Sequence, residues 1–111
     1  MEQIDVTALR AALGTPAGSD TGEASGPPVV VDVREPHEFD SGHVPGAVNV
    51  PMSQVVDRVG EITSLTGPVF LVCQSGGRSA QVAAWLGQQG HEVTNVAGGT
   101  LAWKAAGFPV E

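Results

Sequence analysis

At 111 residues the chain has the commonest size of one domain and would bury roughly 65% of its unfolded surface, and its 41% hydrophobic content excludes a disordered segment. Twelve acidic residues against five basic ones give a net charge of −7, and the bases Arg10, Arg34, Arg58, Arg78 and Lys104 are scattered, so no basic stripe is offered to nucleic acid. No basic N-terminal region leads into an apolar stretch, and no apolar run approaches bilayer length; the expectation is a soluble, cytoplasmic protein with no membrane partner.

In chain order, Ile4 to Leu13 has apolar residues at near-helical spacing with Asp5 as a cap, which predicts a short amphipathic helix. Gly14 to Pro28 carries Gly, Pro, Ser, Thr and acids with almost nothing apolar, and is expected to be a flexible loop within the single domain. Val29, Val30, Val31 and Val33 form the β-branched run of a strand buried on both faces. Glu35 to Ser41 can form a helical turn with Pro36 at its start, and Ala47 to Val50 a second short strand. Ser53 can cap a helix running through Val59 and ending at Gly60. Gly67-Pro68 then breaks the chain before the apolar strand Val69 to Val72.

Cys73 follows that strand, the loop Gln74 to Gly77 follows Cys73, and Ser79 to Gln89 has helical spacing with Gly90 as its stop. Glu92 to Val96 predicts another strand, Gly98-Gly99 a turn, and Thr100 to Ala106 a last helix. Strands alternating with helices predict an α/β fold, a mostly parallel central sheet with helices on both faces, whose ligands bind at the carboxyl ends of the strands. Cys73 is at such an end.

As the only cysteine, Cys73 cannot form an internal disulfide or a multi-thiolate zinc site, so it matters as a thiol. A strand, a glycine-containing loop and a helix start make an anion cradle: the first helix amides lack intrahelical partners, and the helix dipole favours a thiolate, persulfide or oxyanion. Gly76 and Gly77 permit backbone angles that turn N–H groups inward, and Arg78 supplies a forked cation. No Asp or Glu occurs from Ile62 through His91, so an approaching anion meets little local repulsion. A plain buried cysteine beside a turn would leave this cradle and Arg78 unexplained.

From about residue 29 to 110 the chain resembles the rhodanese homology domain. Val31-Asp32-Val33-Arg34-Glu35-Pro36-His37-Glu38-Phe39 is similar to that family's first motif, and Gly42-His43-Val44-Pro45-Gly46-Ala47-Val48-Asn49-Val50-Pro51 to its second. Cys73-Gln74-Ser75-Gly76-Gly77-Arg78-Ser79 resembles the active-site loop of single-domain members, and Gly98-Gly99 with Ala102-Trp103 and Ala106 to Val110 the closing segment. The resemblance implies a rhodanese-like fold and a thiosulfate sulfurtransferase-like enzyme needing no cofactor or metal. Sulfane sulfur from a small anionic donor such as thiosulfate would pass through a cysteine persulfide to cyanide or a thiol, which a protein could carry. By the same resemblance Cys73 is the nucleophile, Gln74, Ser75, Gly76, Gly77 and Arg78 hold the persulfide or the donor, and Arg34 either contacts substrate or forms a structural ion pair.

Some thiosulfate-active relatives carry lysine where this chain has Ser75, a departure that leaves other sulfur donors open. His43 is expected to shape a turn, His37 and His91 to be solvated, and Trp85 and Trp103 to pack in the core or an interface. The rivals are a persulfide carrier or interaction module serving a protein partner, and a cysteine-dependent phosphatase or arsenate reductase. Against the phosphatase, the four residues Gln74 to Gly77 are fewer than those enzymes use to wrap a tetrahedral oxyanion, and Val72 stands where many of them have histidine.

Overall fold

The computed structural model describes residues 2–14 and 26–111, so most of the loop expected over Gly14 to Pro28 lies outside the described residues. Five strands form one wholly parallel sheet: β1 (Glu2–Ile4), β2 (Val29–Asp32), β3 (Val48–Asn49), β4 (Val69–Val72) and β5 (Thr94–Val96), in the spatial order β1-β5-β4-β2-β3. The helices are α1 (Val6–Leu13), α2 (Pro36–Asp40), α3 (Val59–Thr63), α4 (Gly77–Gln88) and α5 (Gly99–Ala105).

The central strand β4 is buried along its whole length, which is why its sequence is continuously apolar. Its alternate side chains feed two cores. Leu71 and Cys73 join Val31, Val33, Val82, Ala83, Leu86 and Ile62 beneath α3 and α4, whereas Phe70 and Val72 join Val6, Leu9, Val30, Val96 and Trp103 beneath α1 and α5. Each fully buried aliphatic side chain contributes about 1.5–3 kcal/mol to folding.

Two elements differ from expectation. The N-terminal helix begins at Val6, capped by Asp5, whose side chain accepts the Ala8 N–H at 2.9 Å; the residues before it form β1, an edge strand paired with β5. The helix expected from Ser53 to Val59 is instead a 3-10 turn at Met52–Gln54, with α3 starting at Val59. Gly60 lies inside α3 and has open space around it, so it does not stop the helix; Ile62 anchors α3 in the core at 2% exposure. Burial of an apolar anchor outweighs the modest penalty of a helical glycine.

Strand order places the site. From β2 the chain runs outward to β3, then returns past β2 to β4 and on to β5, so the connections diverge between β2 and β4. A crevice opens at such a switch point, outside the carboxyl ends of the two strands. Asp32 and Val72 pair in register there, and the next residues on the two sides bring Arg34 and Cys73 to the crevice.

Candidate active site at the end of the central strand

Cys73 is 1% exposed, and its Sγ accepts the N–H of Gly76 at 3.0 Å. The loop turns at Gly76, whose φ of +106° suits glycine and which sits where a Cβ would press on Gly98 N at 3.2 Å. Gly77 differs from expectation: it begins α4 without a positive φ and faces open space, so the loop uses the freedom of Gly76 alone. No side chain caps α4, leaving its first amides for the sulfur and whatever is attached to it. Burial pushes the Cys73 thiol pKa up, but the Ser79 hydroxyl and the amides of Ser79, Gly76 and Ser75 outweigh it, and the net direction is down.

The loop is braced from below by α5. Thr100 N–H donates to Cys73 O at 2.9 Å and Leu101 N–H to Gln74 O at 3.0 Å. This approach requires Gly99, whose φ is +55° and whose absent Cβ would collide with Cys73 O and lie 2.8 Å from Gln74 O. Gly99→Ala should therefore lower stability by more than about 2 kcal/mol, combining left-handed strain with displacement of the loop carbonyls. Urea unfolding would measure it, and a loss below about 0.5 kcal/mol would show that the loop does not depend on this contact.

The two arginines occupy different settings. Arg34 is 1% exposed; its Nε reaches Asp32 Oδ1 at 3.0 Å, its Nη2 reaches Asp32 Oδ2 at 2.8 Å and the Gly42 carbonyl at 2.9 Å, and its Nη1 lies 3.4 Å from Gln74 Oε1. It thus ties the end of β2 to the loop at Gly42 and touches the cysteine loop only through Gln74. Losing one partner of such a buried pair costs about 3–5 kcal/mol.

Arg78 lies on the mouth of the loop at 36% side-chain exposure and forms two parallel 2.8 Å bonds with Glu38 of α2. This ion pair, chiefly through the Arg78 hydrogen bonds, holds the Glu38 carboxyl down to about 2, so Glu38 stays ionised well into the acid range. Glu38 also accepts the Glu35 N–H at 3.1 Å in the capping box of α2. The expected role of Arg78 toward an anion must therefore begin from a guanidinium already engaged.

Of the remaining expectations, His43 stacks on Phe39 with centroids 3.7 Å apart, its Nδ1 2.9 Å from Phe39 O, and its backbone pairs with Glu111. His37 and His91 are exposed. Trp103 is in the core with its indole N–H bonded to Pro109 O at 2.7 Å, and Trp85 packs partly buried against the other core. Among the described residues, no group of three or more His, Cys, Asp or Glu could hold a metal ion, and no helix is long and apolar enough to cross a membrane. Sequence reading did not single out Ser79, Glu38 or Asn95 as site residues, although all three meet the loop or its arginine.

A parallel sheet with a lone cysteine at the end of its central strand narrows the field, and comparison with known proteins decides the family. The family model described as the rhodanese-like domain matches residues 19–106. The chain belongs to that family. Among curated relatives, YqhL, an uncharacterised protein of Bacillus subtilis, is 44% identical over 75 residues, which cover 67% of this chain and 59% of that protein. The chain thus spans less than two thirds of that relative. A protein of Allochromatium vinosum named a sulfurtransferase is 40% identical over 83 residues, covering 74% of this chain and 77% of that one. Among solved structures, a rhodanese-related protein from Thermoplasma volcanium superposes with a TM-score of 0.83 at 26% identity, covering 100% of this chain and 98% of that one.

Proposed function

We propose that Cys73 carries sulfane sulfur between a donor such as thiosulfate and a thiol or cyanide acceptor, as the nucleophile of a rhodanese-type sulfurtransferase. The observation that carries this reading is the Cys73 Sγ placed 3.0 Å from the Gly76 amide, at the uncapped start of a twelve-residue helix on the edge of a parallel sheet. With thiosulfate, the Cys73 thiolate attacks the outer sulfur, an S–S bond forms, the donor S–S bond breaks, and sulfite leaves with the bonding pair. The product is a Cys73 persulfide anion, whose terminal sulfur the free amides of the loop and the helix dipole stabilise. An acceptor thiolate or cyanide then attacks that terminal sulfur and returns Cys73 as thiolate.

A second reading, a carrier that hands its persulfide to a protein thiol, is favoured by the pairing of both arginines. Arg34 is closed by Asp32 and Arg78 by Glu38, so neither offers an unpaired charge to a small anion. Intact-mass measurement after exposure to thiosulfate, a thiosulfonate and a low-molecular-weight persulfide tests both. One added sulfur, removable by cyanide, is expected. Loading from the persulfide but not from thiosulfate would favour the carrier, and no loading from any donor would overturn sulfur transfer.

A further inference from the structure

Beneath the cysteine loop, three acceptors lie within reach of one hydroxyl proton. Ser79, in the first turn of α4 and fully buried, has its Oγ 2.6 Å from Asn95 Oδ1, 3.4 Å from Cys73 Sγ and 3.3 Å from Gly76 O. Asn95 lies in β5 at 1% exposure, in register with Leu71 of β4 and Gln3 of β1. Its Nδ2 donates to Gln3 Oε1 at 2.9 Å and lies 3.4 Å from the Gly76 carbonyl. An inverted amide would set Oδ1 against that carbonyl oxygen, so Oδ1 faces Ser79. An amide oxygen only accepts, and the short contact therefore holds the single Ser79 proton. Toward Cys73 the hydroxyl presents a lone pair, which can receive the thiol proton but cannot stabilise a sulfur anion.

We infer that Asn95, held by Gln3, is a positioning residue that sets how readily Cys73 ionises, by competing with its sulfur for the Ser79 proton. In the neutral state Cys73 S–H donates to Ser79 Oγ and Ser79 O–H donates to Asn95 Oδ1. On ionisation the thiol proton leaves to solvent, the Ser79 O–H turns to Sγ, and Asn95 Oδ1 is left buried without a donor. That orphaned acceptor offsets part of what the thiolate gains. The pull of Ser79 on the thiolate is thus conditional, whereas that of the amides is permanent. Other charged groups near the cysteine come as closed pairs, Arg78 with Glu38 from α4 and α2, and Asp32 with Arg34 at the end of β2. From β1, β5 and α5 the groups on this side are the neutral Gln3, Asn95 and Thr100.

The inference rests on Cys73 being the reacting thiol, and its test needs no sulfur donor. With one cysteine and no tyrosine in the chain, the ultraviolet absorbance of the thiolate titrates Cys73 without a tyrosinate background. Asn95→Leu should lower the midpoint by about one pH unit, the worth of a hydrogen bond to a charged group. In a Ser79→Ala background the same change should produce no shift, a null that a merely structural role would not give. Gln3→Ala, an exposed change, removes the shorter of the two bonds that hold the Asn95 amide and leaves only the 3.4 Å Gly76 contact to fix its orientation, so it should lower the midpoint by a smaller amount even if Asn95→Leu fails to fold. A midpoint that stays or rises in Gln3→Ala, or an Asn95→Leu shift of equal size without Ser79, overturns the inference. Shifts as expected in a protein that takes up no sulfur would sink the sulfur-transfer reading alone; normal sulfur loading with unmoved midpoints would sink only the role of Asn95.

Discussion

Cys73→Ser should abolish persulfide formation and reduce sulfur transfer to cyanide or a thiol to background, a loss on the order of a thousandfold or more. The serine hydroxyl is not ionised at neutral pH and its oxygen does not carry a transferable sulfane sulfur. The fold should survive, because a hydroxyl is close in size to a thiol and can accept the Gly76 N–H that now bonds Sγ at 3.0 Å. Burial of a more polar group at a 1% exposed position should cost about 1–3 kcal/mol. Because the chain has a single cysteine, no second thiol can supply residual loading. Intact mass after donor treatment, with circular dichroism to check the fold, would read the result. A serine variant that still gained one sulfur would remove Cys73 from the chemistry. In the native protein the lowered thiol pKa sets the pH dependence: transfer should fall as pH drops through that lowered value, since only the thiolate attacks.

The next largest effects are expected at the Arg78–Glu38 pair. If Arg78 contacts an anionic donor, it must turn from two 2.8 Å bonds with Glu38, and the carboxylate then stands beside the incoming anion. Glu38→Gln keeps a side chain able to serve in the capping box of α2 while removing the charge. It should lower KM for thiosulfate roughly tenfold, about 1.4 kcal/mol. Arg78→Ala should raise KM by about ten- to a hundredfold through loss of a charge-assisted contact worth about 1.5–3 kcal/mol. It also leaves Glu38 unpaired at the mouth of the site. Steady-state kinetics of both variants on thiosulfate and on a neutral persulfide would separate charge from packing, because the neutral donor should feel either change much less. Unchanged thiosulfate kinetics in both variants would assign the pair to holding α2 against α4.

Much of the site is local and was legible without coordinates. The continuous apolar run Val69 to Val72, the lone Cys73 after it and the glycine-bearing loop leading into Val82 and Leu86 specify a strand, a turn and a helix start within one stretch of chain. Departures came where local signals were weak or nonlocal burial outweighed them. Glu2 to Ile4 is too short and too polar to announce a strand, and becomes one only because β5 offers it a parallel edge. Around Ser53 a good cap residue was followed by a single buried side chain, Val55, with Val56 exposed beside it, and only a 3-10 turn forms; the α-helix forms farther on, where Ile62 is anchored.

What the sequence by itself determined is the α/β alternation, the position of the thiol at a strand end and the helix amides that face it, because strand, turn and helix preferences act over a few residues. Only the tertiary structure decided who neutralises whom. Arg34 and Arg78 are both cations beside motifs, yet one is sealed by Asp32 at 1% exposure and the other clasped by Glu38, forty residues away, at the open mouth. Asn95 gave a faint sign, a polar side chain on the same face of its strand as Val93 where an apolar residue would pack. Its significance depends on three separate segments, β1, β5 and the start of α4, meeting so that one buried hydroxyl with one proton lies within reach of both Asn95 Oδ1 and the Cys73 sulfur. Pairing across such separations is set by strand order and helix packing, which no short window of sequence encodes.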